Sequence, residues 1–256
     1  MRIIAVVNQK GGVGKTTTVQ NLGAGLTHRG RRVLLVDMDP QGNLTEACGL
    51  DPKTLETSVN DVLVSEVSLK DIVHKVADRL DVAPANVNLS AAEVTLLDMD
   101  EPGRRLINAL NRARVRDRYD YVLIDCPPSL GQLTVNALVA AREIIIPIQT
   151  EFYALRGLTK LMNTIEAVKE HAGNRKLAVT GMVATMFDGR KNLSREILAQ
   201  LDKHYRDVLF KTPVRDNVAL GEAPVIGQDI FTYRPSSHGA EDYAAVAEEV
   251  IKQEVS

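Results

Sequence analysis

The chain has 256 residues, 45% hydrophobic and 25% charged, a balance that excludes intrinsic disorder and suits one globular domain over residues 1–256. With 31 Lys and Arg against 33 Asp and Glu, the net charge is −2, so any grip on nucleic acid or anionic lipid must come from a local basic patch. Aromatic residues make up only 4% with no Trp, which argues against a base-stacking platform, and the two cysteines, Cys48 and Cys126, cannot form a disulfide framework or a four-cysteine metal site.

The N-terminal stretch reads as a strand, Ile3–Val7, without the charged-apolar-small order of a signal peptide, and cytoplasm is the default expectation. No apolar run approaches the roughly 20 residues of a membrane span. The strand leads into Lys10-Gly11-Gly12-Val13-Gly14-Lys15-Thr16-Thr17 and then a helix with Val19, Leu22, Gly23 and Leu26 on one face. Glycines there let backbone N–H groups turn inward around phosphate oxygens, and the helix N-terminus adds partial positive charge. Lys15 can reach β- and γ-phosphates, and the Thr16 hydroxyl can ligate Mg²⁺.

Further strands are predicted at Val33–Asp37, Arg79–Val82, Tyr121–Asp125, Ile144–Gln149 and Leu177–Thr185. Most are continuous apolar runs, the pattern of parallel strands covered on both faces. The stretch 51–101 is less regular and predicts short helices around the strand at 79–82. An arginine-rich helix is expected over Arg104–Arg118. Leu155, Leu158, Met162 and Ile165 share one later helix face, and Tyr243, Val246, Ala247 and Val250 share another. This is the signature of an α/β fold, a doubly wound, mostly parallel sheet with its site beyond the carboxyl ends of the strands. Asp37, Asp39 and Asp125 lie where apolar strands end, so they converge there. A carboxylate in that place is costly unless it faces a cation or water.

The phosphate loop departs from the ordinary Walker pattern: Gln9 stands where its first glycine belongs, and Lys10 is additional. This K-G-G-x-G-K-T resembles the deviant Walker A motif of the ParA/MinD family of ATPases. The segment Val33–Asn43 resembles the family's second motif and first switch, and Tyr119–Ser129 its Walker B strand and second switch. Thr185–Arg190 and Asn217–Pro224 are most similar to the short chromosomal ParA, or Soj-like, branch.

The resemblance implies a deviant Walker P-loop fold binding ATP and Mg²⁺. It assigns the nucleotide to Lys10, Gly11, Gly12, Val13, Gly14, Lys15, Thr16 and Thr17, with adenine against Met186, Arg215 and Asn217. Proline usually stands where this chain has Arg215, and Asn217 also reads as the cap of a helix Val218–Glu222. Thr16, Asp37 and Asp125 would serve the metal, with capping of the following turn as the alternative for the two aspartates. Lys15 and Asp39 would act in hydrolysis, Asp39 on the attacking water, and Lys10 would reach across an ATP-dependent homodimer.

The resemblance further implies non-specific binding to nucleoid DNA, and slow hydrolysis stimulated by the basic N-terminal peptide of a ParB-like centromere-binding protein. Chromosome or plasmid segregation would follow. Arg190 matches a DNA-binding position, but Ala219 and Asp216 replace expected basic residues; Lys191, Arg195, Lys203, Arg206 or the arginine-rich helix could compensate. The start of the chain leaves no room for a helix-turn-helix that would read an operator. A related ATPase positioning a non-DNA cargo is an alternative. A MinD-like membrane anchor is disfavoured because residues 241–256 carry five acidic residues against Lys252 alone. A biosynthetic P-loop enzyme would need a further substrate pocket, and an iron–sulfur electron carrier would need cysteines placed differently.

Overall fold

The computed structural model describes residues 1–151 and 154–255, without the side chains of 154–156 and 255. Seven strands form one sheet: β1 Arg2–Val6, β2 Val33–Asp37, β3 His74–Ala77, β4 Leu80–Ala83, β5 Tyr121–Asp125, β6 Glu143–Gln149 and β7 Ala178–Thr185. Their order is β3-β4-β2-β5-β1-β6-β7, parallel except for the β3–β4 pair. The helices are α1 Lys15–Thr27, α2 Asn43–Ala47, α3 Val59–Val64, α4 Leu69–Ile72, α5 Leu89–Thr95, α6 Arg105–Arg112 and α7 Gln132–Ala140. They continue as α8 Ala154–His171, α9 Asn192–Tyr205, α10 Val218–Glu222, α11 Ile230–Tyr233 and α12 His238–Lys252.

The central strands are buried end to end, as their unbroken apolar sequences require. One core lies between the sheet and α1 with α12, where Leu22 and Leu26 join Val246 and Val250. The apolar stripe of the acidic C-terminal helix is therefore packing surface. At Gly23 a Cβ would stand 2.7 Å from Leu35 Cδ2, so any larger residue would have to displace the Leu35 side chain for α1 to lie this close to the sheet. The second core lies on the opposite face and takes in Leu63, Leu96, Leu106, Leu138 and Ile165. Of the predicted α8 stripe, Leu158 and Ile165 are buried and Met162 is half-buried, while the Leu155 side chain lies outside the described residues.

Two expectations need correction. The strand predicted at Arg79–Val82 is one arm of an antiparallel hairpin whose other arm, β3, was not anticipated; Arg79 itself turns the chain with φ 59°. The arginine-rich helix over Arg104–Arg118 stops at Arg112. Arg114 takes φ 52°, and only a short 3₁₀ turn, Val115–Asp117, follows. Among the described residues no helix is long and apolar enough to cross a membrane.

Candidate nucleotide site

The register fixes the site before any loop is considered. Asp37 and Asp125 are partners across β2 and β5, and Val6 pairs with Asp125 across β1 and β5. Three adjacent strands thus end together, with two carboxylates side by side and the phosphate loop springing from the third. Gly12 (φ 72°) and Gly14 (φ 85°) take left-handed conformations that carry the chain back into α1. The Thr185 hydroxyl at the end of β7 donates to the Val13 carbonyl at 2.9 Å and pins the loop from the other side. A cavity of 580 Å³ opens in front, lined by Gly11, Gly12, Gly14, Lys15, Thr16, Thr17, Asp39 and Gln41 among others.

Lys15 is the first residue of α1 and is buried, its ammonium donating to the Lys10 carbonyl at 3.2 Å. Burial lowers its pKa, while Asp125 and Asp39 pull the other way. The Thr16 hydroxyl donates to Asp125 Oδ2 at 2.6 Å. Asp125 is fully buried, and its Oδ1 has no hydrogen-bond partner among the described residues. Burial, reinforced by the Asp37 charge, pushes this carboxyl well above its ordinary range. An orphaned acceptor there calls for a cation or an ordered water.

Asp37 is placed differently. Its Oδ2 accepts from the Thr45 N–H and hydroxyl at 2.9 and 2.7 Å, and its Oδ1 from the Asp39 N–H at 3.1 Å. Burial outweighs these donors and holds the carboxyl at about 6. Asp37 therefore caps the turn that follows β2. Asp39 is held by the Gln41 N–H on Oδ1 at 3.0 Å and borders the cavity. Gln20 ties the other end of this loop, donating to the Ala47 and Gln228 carbonyls. Neither Thr45 nor Gln20 carries a sequence signal, since both act through contacts that only the folded turns create.

Among known proteins, the family described as an AAA domain matches residues 1–179. The chain is 47% identical to the sporulation initiation inhibitor protein Soj of Bacillus subtilis, over 97% of this chain and 98% of that protein. It is 43% identical to the chromosome partitioning protein ParA of Caulobacter vibrioides, over 99% and 95%. A solved structure of cobyrinic acid a,c-diamide synthase from Mycobacterium smegmatis, with bound ADP and magnesium, superposes with a TM-score of 0.87 at 38% identity, covering 100% of this chain and 96% of that one. The chain belongs to the ParA/MinD family of P-loop ATPases.

In this ParA/MinD chain a second cavity of 430 Å³ adjoins the first and includes Gly14, Thr17, Met186, Arg215, Asn217 and Tyr243 in its lining. It is where the resemblance puts the base. The Arg215 guanidinium, however, turns onto α12: it bonds Asp242 at 2.6 Å and Glu241 at 2.9 Å, and its N–H also donates to Asp242. Those bonds hold its pKa above the ordinary arginine value and commit both the Arg215 guanidinium and its backbone N–H to α12. Asn217 Oδ1 accepts from the Ala219 N–H at 2.9 Å, so it does cap α10.

Two positions outside the cavities complete the predicted set. Arg190 is almost fully exposed and lies in a two-point pair with Asp188, at 2.9 and 3.0 Å. Lys10 is also exposed, with its ammonium on Gln149 Oε1 at 2.9 Å and Glu151 Oε2 at 2.6 Å. Neither carboxylate was singled out from the sequence. Burial pushes both cysteine thiols up, Cys48 to about 12.

Proposed function

We propose that the chain, acting as one unit over residues 1–256, is a partition or positioning ATPase that dimerises on ATP·Mg²⁺ and binds nucleoid DNA non-specifically as the dimer. Hydrolysis stimulated by a ParB-like partner would release it. The observation that carries this reading is the phosphate loop with both lysines, set against the strand-end pair Asp37 and Asp125. The relatives named Soj and ParA support the cargo class.

The residues present fit the metal and the nucleotide. Thr16 lines the cavity and bonds Asp125, whose Oδ1 has no partner among the described residues, so the pair offers hard oxygen donors to a cation. Among the described residues no three His, Cys, Asp or Glu side chains form a metal cage. That suits a cation completed by phosphate oxygens and water. Bound there, Mg²⁺ would offset phosphate charge. The Thr16 hydroxyl would turn from Asp125 to the metal, and Asp125 would accept from its water shell. Lys15 would trade the Lys10 carbonyl for β/γ-phosphate oxygens, and loop N–H groups from Gly11 to Thr17 would hold the rest. Asp39 would orient the attacking water and accept its proton. Asp37 would act one step back, by holding Asp39 and Thr45 in place. Met186 and the backbone at Arg215, with Asn217, would flank adenine.

Gel shift of random duplex DNA with ATP·Mg²⁺ tests the reading. Wild type should bind at low salt and release steeply as salt rises, with Arg190→Ala weaker. No binding at any salt would move the function to a non-DNA cargo. A second reading follows from the diamide synthase named above: ATP-dependent amide formation. Turnover that needs a carboxylic acid acceptor and an amide or ammonia donor would favour it.

A further inference from the structure

We propose that a cavity at the amino end of the sheet, opposite the nucleotide site, binds a compact polyphosphate anion. The cavity encloses 360 Å³ where β1 and β6 begin, with Arg2, Arg104, Asn111, Arg116, Arg142 and Glu143 in its lining. That volume falls in the range of small-ligand sites. Strand β1 runs from here to the phosphate loop, and its five residues span about 16 Å, so the two sites are separate.

Charge selects the occupant. Among the described residues Glu143 is the only carboxylate in the lining, and it is spent: Arg2 bonds both of its oxygens, and the Thr180 hydroxyl donates to it at 3.2 Å. Arg116 and Arg142 are exposed, and neither side chain has a hydrogen-bond or ion-pair partner among the described residues. Arg104 has only a long contact to Glu101 at 3.5 Å. In a chain of net charge −2, three uncommitted guanidinium groups around one recess form a local field that favours an anion.

The local fold builds this convergence. On one continuous helix Arg104 and Arg116 would stand about 18 Å apart. Helix α6 instead ends at Arg112 and the left-handed Arg114 redirects the chain, and both arginines border the same recess. The carboxyl end of α7 also enters the lining, where free carbonyls would repel an anion. Asn174 removes that obstacle, its Nδ2 donating to the Leu138, Val139 and Ala141 carbonyls at 2.7, 3.3 and 2.6 Å. Guanidinium forks bind phosphate oxygens in pairs, and several around one recess match an anion with many negative oxygens on few atoms, a pyrophosphate group. A duplex spreads its phosphates along an extended strip rather than into a recess.

The test is calorimetric titration of the full chain with inorganic pyrophosphate in a Lys15→Ala background, which removes the competing phosphate loop. Pyrophosphate should bind about tenfold more tightly than orthophosphate. Arg116→Ala and Arg142→Ala should each cost at least about tenfold with an unchanged melting temperature, while Arg79→Ala, in the hairpin at the far edge of the sheet, should cost nothing. A nucleoside diphosphate that binds more tightly than pyrophosphate supports the site with a nucleotide as its ligand; equal or weaker binding supports it with a free polyphosphate. No binding, or losses in Arg116→Ala and Arg142→Ala no larger than in Arg79→Ala, overturns the proposal. Random duplex DNA that displaces pyrophosphate and needs the same arginines overturns it in favour of a nucleic-acid contact. The readout involves neither turnover nor dimerisation, so it stands or falls apart from the partition reading.

Discussion

Lys10 and Glu151 face each other at the mouth of the phosphate loop, Nζ to Oε2 at 2.6 Å, with Gln149 completing the grip. The lysine to which the family resemblance gives a role across a dimer is thus held within its own subunit. Both side chains are about half exposed, so the pair is worth about 0–1 kcal/mol and yields readily to a stronger anion. Glu151→Gln should free Lys10 and raise ATP-dependent dimerisation by up to about fivefold, with no change in melting temperature. Sedimentation with ATP·Mg²⁺ checks this, and a fall in dimerisation would mean that Glu151 serves the assembled state.

Lys15 should prove essential to binding itself. It is buried at the cavity floor, and its pKa is lowered by the same burial that magnifies its attraction to phosphate. Lys15→Ala should reduce ATP·Mg²⁺ affinity by at least about a hundredfold in calorimetric titration. Unchanged affinity would remove the loop from the nucleotide site.

The amino end of the sheet carries a pH-dependent tie unrelated to the site. Hydrogen bonds from Arg32, to the carboxylate and through its N–H, hold Asp120 down to about 2. A folded pKa below the ordinary value contributes stability above about pH 4, and that contribution is lost as pH falls toward 2. Asp120→Asn should therefore lower the denaturation midpoint slightly at pH 7, and the difference from wild type should close between about pH 4 and pH 2. A difference that persists at pH 2 would show that the charge is not responsible.

The strands around the site were legible because they are unbroken apolar runs. Val33–Asp37 and Tyr121–Asp125 match the structure residue for residue, and with them came the meeting of Asp37 and Asp125. The edge hairpin was not legible. Its first arm, His74–Ala77, alternates in exposure on a strand with one free edge, and its turn uses Arg79 at positive φ in place of the Gly or Asn that would signal it. Likewise no local pattern ends α6 at Arg112; the left-handed Arg114 does so. Within the site, residue types were readable but partners were not. The sequence offers Asp37 to a metal and to a turn alike, and gives no sign that Thr45, eight positions on, closes on it. Lys10 looks free until Glu151, 141 positions away, is seen beside it.

The central claim of the proposed function is that the chain dimerises on ATP·Mg²⁺ and that Lys10, reaching across, makes the dimer. Asp39→Ala supplies the background for the test, since removing the carboxylate that orients water should block turnover and leave ATP binding intact. Static light scattering of Asp39→Ala with ATP·Mg²⁺ should give a stable dimer. Adding Lys10→Ala should return the protein to monomer while ATP affinity remains substantial. A double variant that dimerises as fully as Asp39→Ala alone would contradict the claim.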